Sequence, residues 1–332
     1  MRYGTIPGIA KPLSRVVLGT MIISSGGNGE YERSAALLDA ALELGVTVLD
    51  TAVGYAGGES ERGIGRWMQE RQVRDRVVVL TKGCHHNSDR NRVTPFDMAS
   101  DIQDSLTRLR TSSIDLWMLH RDDEQVPVAD IVEWLEAHRS AGRIRAYGGS
   151  NWRHERIADA NAYARSRGYP GFSASSPNFG LAEQVQDPWG KGCVTISGPQ
   201  QGPARAWYQA NHLPVFAYSS LGRGLLSGRI TRENLPGSLA GLDGAARTAY
   251  CHEVNFRRLE RCQILARERG VSVPQIATAW LLAQPLEVYA LVGAANREEL
   301  ASTIAGADLA ISPEEEAWLD LRAESRLKAR LG

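Results

Sequence analysis

Short β-branched runs alternate with segments of helical period along most of the chain, spaced roughly 30 residues apart, the length of one βαβ unit. The runs are Arg15-Val16-Val17-Leu18, Val46-Thr47-Val48-Leu49, Val77-Val78-Val79-Leu80, Ile114 to Leu119, Ile144-Arg145-Ala146-Tyr147, Gly171 to Ala174, Leu213 to Tyr218 and Val288 to Val292. Between the first two, Ser34 to Gly45 places Ala35, Leu38, Ala41 and Leu42 on one side and stops at a glycine, as a helix C-terminus does. Glu59 to Arg71, Pro95 to Leu109, Ala129 to Ala141 and Glu155 to Arg167 repeat the pattern. Apolar runs without strict polar alternation suit parallel strands covered by helices. The eight runs therefore predict an α/β fold, a (β/α)8 TIM barrel with long C-terminal-face loops. An open doubly wound sheet is the rival. Its dinucleotide fingerprint is missing, because Gly19-Thr20-Met21 follows the first run where G-x-G-x-x-G would stand.

No linker or low-complexity stretch interrupts the alternation, so residues 1–332 are expected to form a single barrel domain. Two segments break the regular spacing, Ala182 to Pro203 and Thr231 to Glu253, and loops of that length commonly serve as lids or binding loops. Lys+Arg and Asp+Glu are equal at 38 each, so net charge supplies no field for nucleic acid or an anionic membrane. Met1 to Ser14 lacks an apolar secretory core, and no run approaches a membrane span. Cys84, Cys193, Cys251 and Cys262 are scattered without metal-site spacing and read as reduced thiols, so a cytoplasmic setting and no bound metal are expected. Nothing in the sequence encodes an oligomeric state.

In barrel enzymes the chemistry sits at the C-terminal ends of the strands. Four polar side chains fall there: Asp50 and Tyr55 after the second run, Lys82 after the third and His120 after the fourth. Neighbouring strands lie about 4.8 Å apart, close enough for these groups to meet. A phenol with a pKa of about 10 is a poor acid near neutrality. An adjacent ammonium stabilises its phenolate, a carboxylate keeps the lysine charged, and an imidazole orients a carbonyl or relays a proton. That set suits proton delivery to an oxygen as hydride arrives at its carbon.

Asp50-Thr51-Ala52-Val53-Gly54-Tyr55 with Gly58-Glu59-Ser60-Glu61, then Leu80-Thr81-Lys82, Leu119-His120, Gly149-Ser150-Asn151-Trp152, Ala217 to Gly228 and Val292-Gly293-Ala294 carry a resemblance over essentially the whole chain. It resembles the aldo-keto reductase superfamily, with the Gly-Leu-Leu-Ser-Gly loop nearer the potassium-channel β-subunit-like branch. The resemblance implies a barrel that binds NADP(H) without a Rossmann domain. It assigns Tyr55 as general acid/base, Lys82 and Asp50 as its activating pair and His120 as the substrate-orienting partner. It gives Ser150 and Asn151 the nicotinamide carboxamide and Tyr218 the nicotinamide ring. Ser219, Leu221, Gly222 and Arg223 would cover the pyrophosphate, and Gly19, Thr20 and Met21 would lie against the nicotinamide ribose.

The sequence departs from that pattern in three places. The glutamine expected on the sixth barrel strand falls, by counting back from Leu181, at Ser175, with Asn178 a nearby substitute. After Gly293, the positions that commonly clamp a 2′-phosphate hold Ala295 and Glu299. A carboxylate there repels a 2′-phosphate and suits a bare ribose hydroxyl, while Arg297 and Arg223 are the alternative sources of charge for a phosphate. NADP(H) and NAD(H) both stay open, with NADP(H) the expectation of the resemblance. Trp189 to Pro203 is unlike the common pattern. The substrate expected is a small carbonyl or alcohol, weakly favouring hydroxylated or sugar-like compounds through the faces of Trp152, Trp189, Trp207 and Tyr208 and the hydrogen bonds of His85 and His86 beside Cys84. The channel-subunit likeness offers an alternative, a cofactor-binding regulatory subunit with little turnover. Four ionisable positions kept together favour the enzyme.

Overall fold

The computed structural model describes residues 1–190, 192–231, 234, 237 and 241–326. Two antiparallel strands come first, β1 (Tyr3–Ile6) and β2 (Ile9–Ser14). Eight parallel strands follow: β3 (Val16–Gly19), β4 (Val48–Asp50), β5 (Val78–Gly83), β6 (Ile114–Leu119), β7 (Ile144–Ser150), β8 (Ala174–Ser176), β9 (Val215–Ala217) and β10 (Val288–Val292). They close in sequence order, β10 pairing with both β9 and β3. This is the (β/α)8 barrel the alternation predicts. Its strands are displaced from the apolar runs by a few residues. Thus β7 runs on to Ser150, whereas β8 begins only at Ala174.

Helices α1 (Glu30–Glu43), α2 (Glu59–Arg71), α3 (Pro95–Arg108), α4 (Val128–Ser140) and α5 (His154–Ser166) follow the first five barrel strands at the predicted places. Local chemistry sets their starts. In α3, for example, the Thr94 side chain accepts from the Asp97 amide and proline occupies the first turn, where a missing N–H costs nothing. α6 (Gly202–Asn211) and the helices Glu253–Arg269, Val273–Leu282 and Arg297–Ala305 continue the outer layer. No described helix is long and apolar enough to cross a membrane.

The barrel interior is filled by Val17, Val48, Val78, Leu80, Leu116, Met118, Ala146, Ala174, Phe216, Tyr289 and Leu291. Ile6, Ile9 and Leu13 of the leading hairpin pack into the same cluster. Burying each of these hairpin side chains is worth about 1.5–3 kcal/mol. The hairpin turn lies against the start of β7: Gly8 has φ +89°, and a Cβ there would meet the Arg145 carbonyl at 2.9 Å. The N-terminal end of the barrel is thus plugged by a hairpin that lies outside the eight apolar runs. Its signal was Pro7-Gly8 between two apolar stretches. Plugging that end leaves the C-terminal mouth for chemistry.

Candidate active site

Side chains alternate along a strand, so the residue two beyond each inward-facing core residue also faces inward. Val48 leads to Asp50, Leu80 to Lys82, Met118 to His120, Ala174 to Ser176 and Phe216 to Tyr218. One layer of polar groups therefore lies on top of the apolar core. Asp50 and Lys82 are each 3% exposed, and Lys82 Nζ donates to Asp50 Oδ1 at 2.5 Å and to the Thr51 carbonyl at 2.9 Å.

Tyr55 reaches this pair because the chain turns sharply after β4. The Val53 amide donates to the Lys82 carbonyl (2.9 Å) and the Tyr55 amide to the Ala52 carbonyl (3.0 Å), tying the turn to β5. The following backbone is left-handed at Ala56, Gly57 and Gly58. Lys82 Nζ lies 5.2 Å from the Tyr55 ring centre, and the His120 ring stands edge-on to it at 5.9 Å. The His85 ring also stands edge-on to His120 at 4.9 Å, so the Lys82-Gly83-Cys84-His85 strand end does border the mouth. Cys84 itself is buried away from it, its amide held by Asp101.

The electrostatics follow from burial. Burial works against charge on Lys82, but Asp50 and Tyr55 outweigh it and hold the ammonium above its ordinary pKa. Burial pushes the Tyr55 phenol above the ordinary tyrosine value, with Lys82 pulling against it. The free chain therefore keeps Tyr55 protonated, and the activating pull of Lys82 is the smaller effect. Burial and then the Lys82 charge hold His120 well below its ordinary value, so its imidazole is neutral near pH 7. The site comprises a protonated phenol, a fixed ammonium and a neutral imidazole.

On the opposite wall, Ser150 and Ser176 are paired in register, and Ser150 Oγ donates to the Ser176 carbonyl at 3.0 Å. Asn151 has φ +59° and its Oδ1 accepts from the Tyr218 hydroxyl at 2.7 Å. The structure corrects the expectation for Ser175. Ala174 faces inward, so Ser175 faces outward, where its Oγ meets the Tyr208 hydroxyl under α6 at 2.8 Å. A one-residue slip changes the face. The inward residue is Ser176, whose buried Oγ has no hydrogen-bond partner. The side-chain amide of Asn178 bonds the Tyr218 carbonyl, the Tyr250 hydroxyl and Thr195.

Around the rim, Gly19 ends β3 in register with Asp50, while Met21 is exposed. Thr20 is fully buried and its hydroxyl is tied to the Asp50 carbonyl and Ser60, so only its backbone can border the mouth. Ser219, Gly222 and Arg223 share left-handed backbone, which turns the segment after β9 back on itself around Leu221. Arg223 forms an ion pair with Asp243 and lies over the Trp189 ring at 5.1 Å. Gly293 and Ala295 are exposed after β10. Glu299 sits in the first turn of the helix Arg297–Ala305, accepts from the Ala295 amide at 2.9 Å and pairs with Arg229 at 3.6 Å.

Of the four aromatic faces considered for substrate, Trp189 alone packs at the mouth, 6.5 Å from Tyr218. Trp152 is buried against Phe172, Tyr208 bonds Ser175, and Trp207 packs on Tyr208 and His154, all outside the barrel wall. A cleft of about 580 Å³ elsewhere is lined by Arg62, Arg66, Arg108 and Arg110, each already engaged by Glu59, Glu70, Glu61 or Gln69. Among the described residues no group of three His, Cys, Asp or Glu side chains is placed to hold a metal. Sequence reasoning missed Ser176, whose inward face the sequence does not mark because β8 is only three residues long.

The donor set fits a nicotinamide dinucleotide: a partnerless buried hydroxyl at Ser176, the Ser150–Asn151 pair and a left-handed loop beyond Tyr218. Comparison with known proteins identifies the family. The aldo/keto reductase family matches residues 15–321. Aldo-keto reductase YhdN of Bacillus subtilis is 29% identical, covering 90% of this chain and 87% of its own. An NADH-specific methylglyoxal reductase of Escherichia coli is 27% identical over 90% of this chain and 91% of its own. The structure of the glycerol dehydrogenase AKR11B4 from Gluconobacter oxydans superposes with a TM-score of 0.75 at 26% identity, covering 96% of this chain and 94% of that one. With the barrel, its plugged floor and the Asp50–Lys82–Tyr55–His120 mouth all accounted for, this chain belongs to the aldo/keto reductase family, oxidoreductases that act on carbonyls and alcohols with NAD(P)(H).

Proposed function

We propose that this chain interconverts a small carbonyl compound and its alcohol with a nicotinamide cofactor, Tyr55 passing the proton. The observation that carries the reading is the convergence of Tyr55 and His120 on the buried Lys82–Asp50 pair. In reduction, the Tyr55 hydroxyl gives its proton to the carbonyl oxygen as negative charge develops there. Forming a free phenolate at pH 7 costs about 4 kcal/mol for a pKa of about 10. A full ammonium charge about 4 Å away returns about 4 kcal/mol at an effective dielectric constant of about 20. The Lys82 charge thus offsets only part of the cost of phenolate, since burial adds more to that cost than Lys82 removes, and Asp50 keeps that charge in place. Neutral His120 donates a hydrogen bond to the same oxygen and fixes which carbonyl face is presented.

Ser150, Asn151 and Ser176 would hold the nicotinamide carboxamide, Tyr218 would face the ring, and the Ser219–Arg223 turn would lie along the pyrophosphate. The bound cofactor supplies or accepts the hydride. NAD(H) is the cofactor favoured. Glu299 sits at a helix N-terminus, where its charge is stabilised, and a 2′-phosphate would meet that carboxylate. Arg229 is partly neutralised by Glu299 and Arg297 by Glu43, which leaves little positive charge for the phosphate. The relative described as NADH-specific supports the same reading. Titrating the chain's tryptophan fluorescence with NADH and NADPH separately tests it. Tighter binding of NADH is expected; a clear preference for NADPH rejects the Glu299 reading, and quenching by neither rejects cofactor binding.

A further inference from the structure

Arg121, the residue after His120, is 8% exposed, yet no Asp or Glu pairs with it among the described residues. Its Nη1 donates to the His120 carbonyl at 3.0 Å. Its Nη2 has only the Cys193 thiol, at 3.8 Å, and its buried Nε has no partner. Taking a guanidinium out of water without an anion is costly, so buried charges are normally paired. Elsewhere in this chain the same edge of an arginine grips a carboxylate with both nitrogens. Arg71 holds Asp39 through Nε and Nη2, and Arg139 holds Glu136 through Nε at 2.8 Å and Nη2 at 2.6 Å. At Arg121 that edge is free of any carboxylate. Asp187 accepts from the Trp189 and Cys193 amides and lies beside the Cys193 thiol, without pairing with Arg121.

The position is close to the chemistry. Asn151 Nδ2 shares the His120 carbonyl with Arg121, at 3.4 Å. The Arg121 charge also acts on Tyr55, His85, His120 and Tyr218. What covers its free edge is the Cys193 segment, which follows glycines in left-handed backbone at Gly190 and Gly192. Gly192 packs against the Arg121 stem, 3.9 Å from Cδ to the place a Cβ would take. A thiol is a weak acceptor and a poor counterion, so a carboxylate displaces it with a net gain in pairing.

We infer that Arg121 determines substrate specificity by taking a carboxylate on the carbonyl compound through its Nε and Nη2, which makes the substrate class an oxo acid. This rests on the carbonyl–alcohol reading above. The reaction is unchanged in its balance: the carbonyl carbon gains the hydride, its oxygen gains the Tyr55 proton, and the carboxylate is neither made nor consumed. Carboxylate binding supplies the missing charge and anchors the substrate beside His120.

The test uses the purified full chain with NADH and NADPH and two length-matched series, ω-oxo acids from glyoxylate to 6-oxohexanoate and the corresponding n-alkanals. At one chain length the oxo acid is expected to exceed its alkanal in kcat/KM by about ten-fold or more, chiefly through KM. Arg121→Gln should collapse that ratio, and Arg121→Lys, which keeps the charge but not the fork, should restore part of it. Equal kcat/KM for both series at every length overturns the inference, as does a ratio that survives in Arg121→Gln. If the variants do not fold by circular dichroism, inhibition of the unmodified chain decides. Propionate should compete with the alkanal at a concentration about ten-fold lower than propionamide, and equal inhibition overturns the inference. Turnover of alkanals without any gain for oxo acids leaves the oxidoreductase reading standing. Absence of turnover with every compound in both series brings down that reading and this inference together.

Discussion

Lys82 Nζ lies 2.5 Å from Asp50 Oδ1, and both side chains are enclosed at the top of the barrel core. Neither charge is tolerable there alone, and removing one member of such a buried pair costs about 3–5 kcal/mol. Asp50→Asn should therefore lower thermal stability and also change the chemistry. With Asp50 neutral, burial prevails over the remaining attraction and the Lys82 pKa falls. The alkaline limb of the kcat profile should move to lower pH, and kcat should fall by about 10²-fold or more. A pH–rate profile of the variant checks both; an unmoved alkaline limb would show that Asp50 does not govern Lys82.

Ser175 and Ser176 are neighbours with opposite faces, and their alanine variants should separate cleanly. Ser175→Ala strands the buried Tyr208 hydroxyl and should cost about 1–3 kcal/mol of stability, with cofactor affinity little changed. Ser176→Ala removes a buried hydroxyl that has no partner in the free chain, so stability should hold while the cofactor Kd rises several-fold. Denaturant melts and NADH fluorescence titrations on the two variants measure this contrast.

Glu299 receives the Ala295 amide and pairs with Arg229. Glu299→Gln removes the carboxylate, keeps the amide contact and frees Arg229. The ratio of NADPH to NADH affinity should rise by about ten-fold, the effect of exchanging repulsion for attraction at a partly exposed site. Paired titrations with the two cofactors give the ratio directly.

His138, 8% exposed at the end of α4, accepts from Arg143 Nε at 2.9 Å through its Nδ1. Burial, and then the Arg143 charge, lower its pKa to about 4. The folded-state value lies below the unfolded one of about 6.5. At acidic pH the unfolded chain therefore binds a proton that the folded chain refuses. This contribution is fully present above about pH 6.5 and is lost as pH falls toward 4, up to about 2 kcal/mol by pH 5 at 1.36 kcal/mol per unit. Chemical denaturation from pH 7 to pH 5 should show the loss, and His138→Gln should flatten it.

Much of the fold was legible because a parallel barrel writes each strand as an apolar run and each crossover as a 3.6-residue period. The tetrad was legible for a related reason. Asp50, Lys82 and His120 each close an apolar run, and the first polar residue after such a run tops the core. Ser176 was lost because β8 is only three residues long, so no alternation within it showed which of Ser175 and Ser176 faced in. The leading hairpin was lost because Lys11 and Pro12 interrupt the apolar pattern of β2. Trp152, Trp207 and Tyr208 were misplaced because a large aromatic reads alike whether it lines a mouth or packs a helix on a barrel. The balance at Tyr55 lay outside sequence altogether: the Lys82 contact was foreseeable, whereas the larger effect of burial depends on the enclosure built around it.

The central claim is that Tyr55 carries the proton. Single-turnover reduction of a carbonyl by bound NADH, compared between the unmodified chain and Tyr55→Phe, tests it most directly, with cofactor affinity measured alongside. Phenylalanine keeps the ring beside His120 and removes only the hydroxyl. Hydride transfer should slow by about 10²–10⁴-fold while NADH binding is retained. Transfer at the unmodified rate, with NADH bound equally well, would contradict the account.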